Sequence, residues 1–192
     1  MNAIDCNIEA LIVFGRRNNK DWGAISKAYS STTEPKKIVQ KVLQAGDLEL
    51  FNADKDFVVF GGIARNEVTN GSDVDWTLLI DGQVDSRVNF NLASFIKKGL
   101  KESRLKDPGP KGPFGNITFS HDLVHHIGGQ DDTNNNLTQR NLLLLESEMV
   151  SVTDNRNGTA YDRVLKAVIE QYIDNDSGYR VNNPNPHFTP RF

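Results

Sequence analysis

The chain has 192 residues, of which 38% are hydrophobic and 24% are charged, and its net charge is −3 at pH 7. This composition is typical of a soluble globular protein with one medium-sized domain, or a core with a helical extension, and the charge does not favour nonspecific binding to nucleic acid. A single cysteine, Cys6, excludes an internal disulfide, and the lack of a membrane-length apolar run or a signal peptide predicts a cytoplasmic protein that is not membrane-bound.

The first predicted elements are helical. Apolar residues at helical spacing predict short helices between residues 7 and 30. The segment Thr32-Thr33-Glu34-Pro35 is typical of a helix start, because proline is tolerated in the first turn, and apolar positions 38, 39, 42 and 43 continue that helix. The apolar run Phe57–Phe60 then predicts a buried strand.

Gly61 and Gly62 directly follow this strand. Glycine allows the backbone to turn sharply and to approach a ligand closely, so the pair predicts contact with a phosphate. Residues 63–68 are predicted to form a short helix, whose first N–H groups attract an anion. Arg65 adds a permanent positive charge with a fork geometry that suits phosphate oxygens.

Two carboxylates open the next predicted strand, which spans 73–80 after a turn at 69–72. Side chains alternate along a strand, so Asp73 and Asp75 are expected on one face, about 7 Å apart. Val74, Trp76, Leu78 and Ile80 are expected on the other face, toward the core. Two such carboxylates can hold Mg²⁺ or Mn²⁺, with phosphate oxygens and water as the other ligands. Together with the glycine pair they predict a metal-bound nucleoside triphosphate as ligand; the alternative is that both elements are structural turns.

The second half of the chain is predicted to be mainly helical. The predicted elements are an amphipathic helix over 88–100, a Pro/Gly-rich loop over 107–115, a strand over 116–119, and helices over 138–149 and 164–173, the last one capped by Thr159. The exposed side of the first of these helices carries Lys97, Lys98 and Lys101, which either contact phosphates or form a solvated face.

The run Gly61-Gly62-Ile63-Ala64-Arg65-Asn66-Glu67, followed by Ser72-Asp73-Val74-Asp75, resembles the signature of the polymerase-β-like nucleotidyltransferase superfamily. That signature is a Gly-Gly or Gly-Ser pair after a strand, then about ten residues, then Asp-x-Asp or Asp-x-Glu. The run looks most like the branch that contains protein-PII uridylyltransferase and glutamine-synthetase adenylyltransferase. Two residues depart from the pattern: Gly62 replaces the usual serine, and Asn66 replaces the usual glycine after the arginine.

This resemblance implies roles for the residues of the motif. Those expected to bind the triphosphate are Gly61, Gly62, Arg65 and Ser72, and the catalytic metal ligands are Asp73 and Asp75. The family also places a third carboxylate on a later core strand, but the predicted strand at 116–119 contains no acid. Asp122 lies just beyond it and is the candidate for activating the acceptor hydroxyl, as a metal ligand or base, with Asp131 and Asp132 as further candidates.

His121 and His125 are four residues apart and would share one face of a helix. This spacing can hold zinc, but zinc sites usually have three or four clear protein ligands, and no cysteine partner is present nearby. Polar surface or core histidines, or a segment that lines the nucleotide cleft, are the other interpretations.

The predicted fold is of the α/β (α+β) class: a small mixed β-sheet nucleotidyltransferase core with helices on one face, followed by a helical extension. The predicted divisions are a helical segment at 1–34, the core at 35–132, the extension at 133–175 and a linker-like tail at 176–192. The predicted function is Mg²⁺-dependent transfer of a nucleoside monophosphate to an acceptor hydroxyl on a protein, RNA or small molecule. The alternative is a catalytically weak nucleotide-binding regulatory or antitoxin-like module, part of a longer chain.

Overall fold

The computed structural model describes residues 3–46, 54–82, 85–109, 112–150 and 158–182, with the backbone alone described for 3–5 and 175–182. In chain order the elements are α1 (Ala3–Arg17), α2 (Gly23–Gln44), β1 (Lys55–Phe60), α3 (Gly61–Ala64), β2 (Trp76–Ile80), α4 (Ser86–Glu102), β3 (Asn116–Phe119), α5 (Ser120–Val124), α6 (Asn134–Leu145), β4 (Ser147–Met149) and α7 (Ala160–Asn182). None of the described helices combines the length and the apolar character needed to cross a membrane.

The strands form one mixed sheet in the order β3-β2-β1-β4. β1 is antiparallel to both β2 and β4, whereas β3 runs parallel to β2. Because β1 and β2 are antiparallel, the residues that follow β1 and those that precede β2 lie at the same edge of the sheet. The predicted α/β class with a small mixed sheet is confirmed.

Both faces of the sheet are covered by helices, and the strands alternate between two hydrophobic cores. On the first face, α2 and α4 pack against the alternating residues of β1 and β2; the core there includes Val39, Leu43, Phe57, Val59, Trp76, Leu78, Ile80, Leu92 and Ile96. On the second face, α5, α6 and α7 supply the partners; the core there includes Val58, Phe60, Leu79, Leu123, Leu143, Val164 and Val168. The predicted placement of helices on one face of the sheet is therefore wrong: α5 and the segment predicted as a helical extension cover the second face, and that segment also contributes β4.

Helix α2 is longer than the sequence predicts. The predicted helix start at Thr32–Pro35 is wrong, because α2 runs from Gly23 to Gln44 with Pro35 inside it. Proline removes the hydrogen bond to the carbonyl four residues earlier, here that of Ser31, which is exposed and can bind water instead. Thr32 is buried at the same turn; its hydroxyl donates to the Ala28 carbonyl at 3.0 Å and accepts from the Val68 N–H at 3.0 Å.

The chain after α5 also differs from the prediction. The helix predicted over 138–149 ends at Leu145, and Met149 lies in β4, because residues 147–149 pair with β1. The Ser147 hydroxyl donates to the Leu143 carbonyl at 2.6 Å and so satisfies one carbonyl at the end of the helix. α7 begins with the predicted Thr159 cap, which accepts from the Asp162 N–H at 3.2 Å. It continues to Asn182, into the predicted tail; residues 183–192 lie outside the described residues.

Candidate nucleotide-binding site

The glycine pair and the acid pair meet at the sheet edge where β1 ends and β2 begins. The Phe60 N–H donates to the Asp75 carbonyl at 3.0 Å, which extends the β1–β2 ladder by one step. Gly61 follows with φ +62°, a conformation that L side chains rarely adopt, and the position of its missing Cβ lies 3.6 Å from Asp75 Oδ2. A Cβ at this distance would be in ordinary van der Waals contact, so it is the backbone conformation that requires glycine here, and the turn lies directly beside a carboxylate.

The two elements around the site are shorter than predicted. The regular strand begins at Trp76 rather than at residue 73, and the short helix is Gly61–Ala64 rather than 63–68. The predicted alternation nevertheless holds, since Val74 and Trp76 are buried in the first core. Asp75 pairs opposite Phe60, on the second face of the sheet.

The Asp75 carboxyl has an unusual environment. Burial raises its pKa from the ordinary 3.8 to about 6, and the negative charge of Asp73 adds to the rise. The effect of Asp73 means that the two carboxylates are close enough to repel each other. Such a pair is stabilised by any cation that binds between them, which is the arrangement expected of a divalent metal site.

The turn after α3 accounts for both departures from the family pattern. Asn66, at the usual glycine position, has φ +60°, and asparagine is among the few residues other than glycine that tolerate this conformation. The turn closes with a hydrogen bond of 2.7 Å from the Glu67 N–H to the Gly62 carbonyl. The Ser72 hydroxyl lies 3.9 Å from the position of the missing Gly62 Cβ and accepts from the Thr69 N–H at 3.0 Å. Ser72 thus keeps a hydroxyl close to where the usual serine would carry one.

We expect Asn66→Ala to lower the free energy of unfolding by about 1 kcal/mol, because alanine tolerates the left-handed conformation less well than asparagine does. Asn66→Gly should change it by less than about 0.5 kcal/mol, since glycine adopts positive φ freely. Urea denaturation of the two variants and the wild type measures both values. Equal stability of the alanine and glycine variants would contradict the assigned backbone conformation.

Arg65 lies at the same edge, between two carboxylates. Its Nε donates to Glu67 Oε2 at 2.9 Å, and its Nη1 forms an ion pair with Glu146 Oε2. The Glu146 carbonyl also accepts from the Gly61 N–H at 3.2 Å. The Gly61 N–H, which was predicted to contact a phosphate, is therefore already hydrogen-bonded within the protein. Sequence reasoning missed Glu146, because it reaches the site only through the pairing of β4 with β1.

Asp122 does not join this site. β3 is parallel to β2, with Ile80 paired to Phe119, so Asp122 follows the far end of the sheet from Asp73 and Asp75. The length of β2 separates the two positions by about 15 Å. The structure therefore does not bring Asp122 together with the acid pair, and its catalytic role stays a prediction. Asn116 and Thr118 occupy the β3 positions on the face of Asp75, and neither is an acid.

The other two third-acid candidates do not reach the site either. Asp132 accepts two hydrogen bonds from Arg140 Nη2, at 2.8 and 2.7 Å, and one from the Gly128 N–H at 3.0 Å. Burial acts to raise the pKa of Asp132, but these hydrogen bonds hold the pKa below its ordinary value. Asp131 precedes it in the same exposed loop. Both acids belong to the far side of the fold, where Asp132 has a structural role.

The histidines cluster beside Asp122. The His121 ring lies 5.0 Å from that of His125 and 5.2 Å from that of His126, and His126 Nδ1 lies 3.8 Å from Asp122 Oδ1. Within the described ranges, no group of three or more His, Cys, Asp or Glu side chains is arranged to hold a metal ion. The structure therefore does not support the zinc interpretation, and it places the histidines at the edge opposite the acid pair.

The fold and the site together define a class of protein: a small α/β core in which a glycine turn lies against a pair of acids. Residues 36–110 match a family model described as "Nucleotidyltransferase domain". This segment extends from α2 to the loop after α4 and contains the whole Gly61–Asp75 run. The match supports the nucleotidyltransferase superfamily for this segment, which is less than half of the chain; the narrower uridylyltransferase-like branch is not confirmed. No curated protein and no solved structure showed significant similarity to the chain.

Proposed function

We propose that this protein transfers a nucleoside monophosphate from a nucleoside triphosphate to an acceptor hydroxyl and that the reaction requires Mg²⁺ or Mn²⁺. The observation that carries the proposal is the Asp75 carboxylate directly beside the positive-φ turn at Gly61, with Asp73 close enough to raise the pKa of Asp75 further. This arrangement lies inside the segment that matches the nucleotidyltransferase domain.

The donor set fits a divalent metal. Asp73 and Asp75 supply two carboxylates, and magnesium commonly binds one or two carboxylates and completes its coordination with substrate phosphates and water. When bound, the metal would neutralise the phosphate charge and polarise the reacting phosphoryl group. The protein's own contribution is to hold two repelling carboxylates at one point on a rigid sheet edge.

The charge balance around the glycine turn also favours a metal-bound nucleotide. Four carboxylates lie there, those of Asp73, Asp75, Glu67 and Glu146. Two cations of the described residues lie there as well: the guanidinium of Arg65, and the ammonium of Lys106, which donates to the Gly71 carbonyl at 3.2 Å. A metal-free triphosphate would be repelled by this excess of negative charge. The nucleotide is therefore expected to bind together with its cation rather than before it.

In the proposed reaction the acceptor oxygen attacks the α-phosphorus, and the bond from that phosphorus to the bridging oxygen of the pyrophosphate breaks. Pyrophosphate leaves, and the proton of the acceptor hydroxyl passes to water. The open backbone at Gly62 and the hydroxyl of Ser72 would contact the phosphates, and Arg65 would face the developing charge on the leaving group.

The test is transfer of α-³²P label from each of the four nucleoside triphosphates to protein, RNA and small-molecule acceptors, with Mg²⁺, with Mn²⁺ and with EDTA. We expect label transfer that EDTA abolishes and that the Asp73→Ala/Asp75→Ala protein lacks. Asp122→Asn is the matched control at the opposite edge, and its transfer should stay within about twofold of wild type.

Two outcomes would contradict the proposal. Undiminished transfer by the folded double variant would remove the acid pair from the mechanism. Nucleotide binding without transfer or pyrophosphate release, across all acceptors, would instead favour the catalytically weak nucleotide-binding module.

A further inference from the structure

Two acids contact the Arg65 side chain, one from the same turn and one from a distant part of the chain. Glu67 belongs to the same turn and accepts from Arg65 Nε at 2.9 Å. Glu146 lies between α6 and β4 and pairs with Nη1. Both acids contact the guanidinium while the arginine side chain remains 43% exposed, so the group is held in position yet open on one side.

The donors of Arg65 divide between these acids and the open side. A guanidinium carries five N–H donors in one plane. Glu67 takes the Nε donor and Glu146 takes one at Nη1, which leaves the Nη2 donors and the second Nη1 donor for a ligand. A long side chain normally loses rotational entropy when it binds a ligand, and two fixed contacts remove that cost beforehand.

Glu146 also fixes the backbone of the glycine turn. Its carbonyl accepts from the Gly61 N–H at 3.2 Å while its carboxylate pairs with Arg65. One residue therefore sets the position of the turn and the direction of the arginine. The junction of α6 and β4 joins this edge of the sheet through the pairing of Phe60 with Ser147.

We propose that Glu146, assisted by Glu67, is a positioning residue that aims the Arg65 guanidinium at the terminal phosphates of the triphosphate. This inference depends on the proposed nucleotidyl transfer and deepens it, because it assigns the orientation of the phosphate-binding Arg65 to a residue outside the matched 36–110 segment. Glu146 acts through Arg65 and does not contact the nucleotide.

The competing roles of Glu146 make different predictions. If its negative charge merely repelled phosphate, both glutamine and alanine at this position would tighten binding. If it served only the fold, both would change stability and leave the affinity unaltered. Positioning depends on a hydrogen-bond acceptor of the right length, which glutamine retains and alanine lacks.

The experiment measures binding of inorganic tripolyphosphate with saturating Mg²⁺ by calorimetry, a probe that needs no choice of base. We expect Glu146→Ala to weaken binding about tenfold, Glu146→Gln to stay within about twofold of wild type, and Glu67→Ala to weaken binding about threefold. In an Arg65→Ala background, Glu146→Ala should have no further effect, because the two residues act as one unit. Glu102→Ala, an exposed acid on α4, is the matched control and should bind as wild type does.

The failures are distinguishable. Wild-type protein that binds no Mg²⁺–tripolyphosphate would overturn the proposed function together with this inference. Wild-type binding that Glu146→Ala leaves unchanged, or that both Glu146 variants tighten, would overturn the positioning role alone. Glu67 is mostly exposed, so its variant tests the same clamp even if a substitution at Glu146 impairs folding.

Discussion

Asp75→Asn should lower Mg²⁺-dependent transfer at least about 100-fold and at the same time raise the stability of the nucleotide-free protein. The loss of activity follows from the removal of one of two metal ligands, because the electrostatic stabilisation of phosphoryl transfer depends on the bound cation. The gain in stability follows from relief of the burial and repulsion that raise the pKa of Asp75 to about 6. We expect about 1–2 kcal/mol, allowing for solvent screening of a half-buried group.

The sign of the pH dependence is fixed by the same shift. The folded state binds the Asp75 proton more tightly than the unfolded state does, so the wild type loses stability as the pH rises from the ordinary pKa of 3.8 through about 6. The advantage of Asp75→Asn is therefore complete above pH 6, smaller at pH 5 and absent below pH 4. Melting temperatures at pH 7.5 and 5.0 measure it, with an expected rise of about 2–6 °C at pH 7.5. A melting temperature that falls at pH 7.5 would show that Asp75 stabilises the metal-free fold.

The part of the site that the sequence predicts is the part built from neighbouring residues. A buried strand, a glycine pair and an Asp-x-Asp run lie within 20 residues, and their chemistry depends on local backbone geometry. The sharp turn at Gly61 and the burial of Val74 both follow from that local pattern. The order of the residues was therefore sufficient to predict that Gly61 and Asp75 belong to one site.

The part that the sequence does not predict depends on strand pairing across long separations. Asp122 lies just after strand β3, whereas the acid pair lies just before strand β2. Only the parallel register of β2 and β3 shows that these two positions lie at opposite edges of the sheet. Glu146 enters the site because β4 pairs with β1, a contact between residues far apart in the chain. The helix predicted over 138–149 depends on the helical spacing of Thr138, Leu142, Leu145 and Met149. Leu145 is nevertheless exposed, and the buried residues of α6 are Asn136, Arg140 and Leu143.

Arg140 is the clearest example of a residue whose burial the sequence does not predict, because its charged side chain occupies a core position. It is only 1% exposed, and each of its three guanidinium nitrogens donates at least one hydrogen bond. Its Nη2 forms two hydrogen bonds with Asp132, its Nε donates to the Tyr172 hydroxyl at 3.1 Å, and its Nη1 donates to the Leu123 carbonyl at 3.4 Å. The guanidinium thereby joins α5, α6 and α7, the three helices that cover the second face of the sheet.

Arg140→Ala should lower the free energy of unfolding by about 3–5 kcal/mol. Removing the arginine leaves the Asp132 carboxylate, the Tyr172 hydroxyl and the Leu123 carbonyl without their hydrogen-bond donor. The melting temperature should fall by about 10 °C at pH 7.5. Arg87→Ala, which removes an exposed arginine from α4, should cost less than about 0.5 kcal/mol. The low pKa of Asp132 adds a second signature: stability from the ion pair persists above the ordinary carboxyl pKa and is lost only as the pH falls through the lowered one. The two proteins should therefore converge in stability only under strong acid, and equal stability at pH 7.5 would show that the second face does not depend on this ion pair.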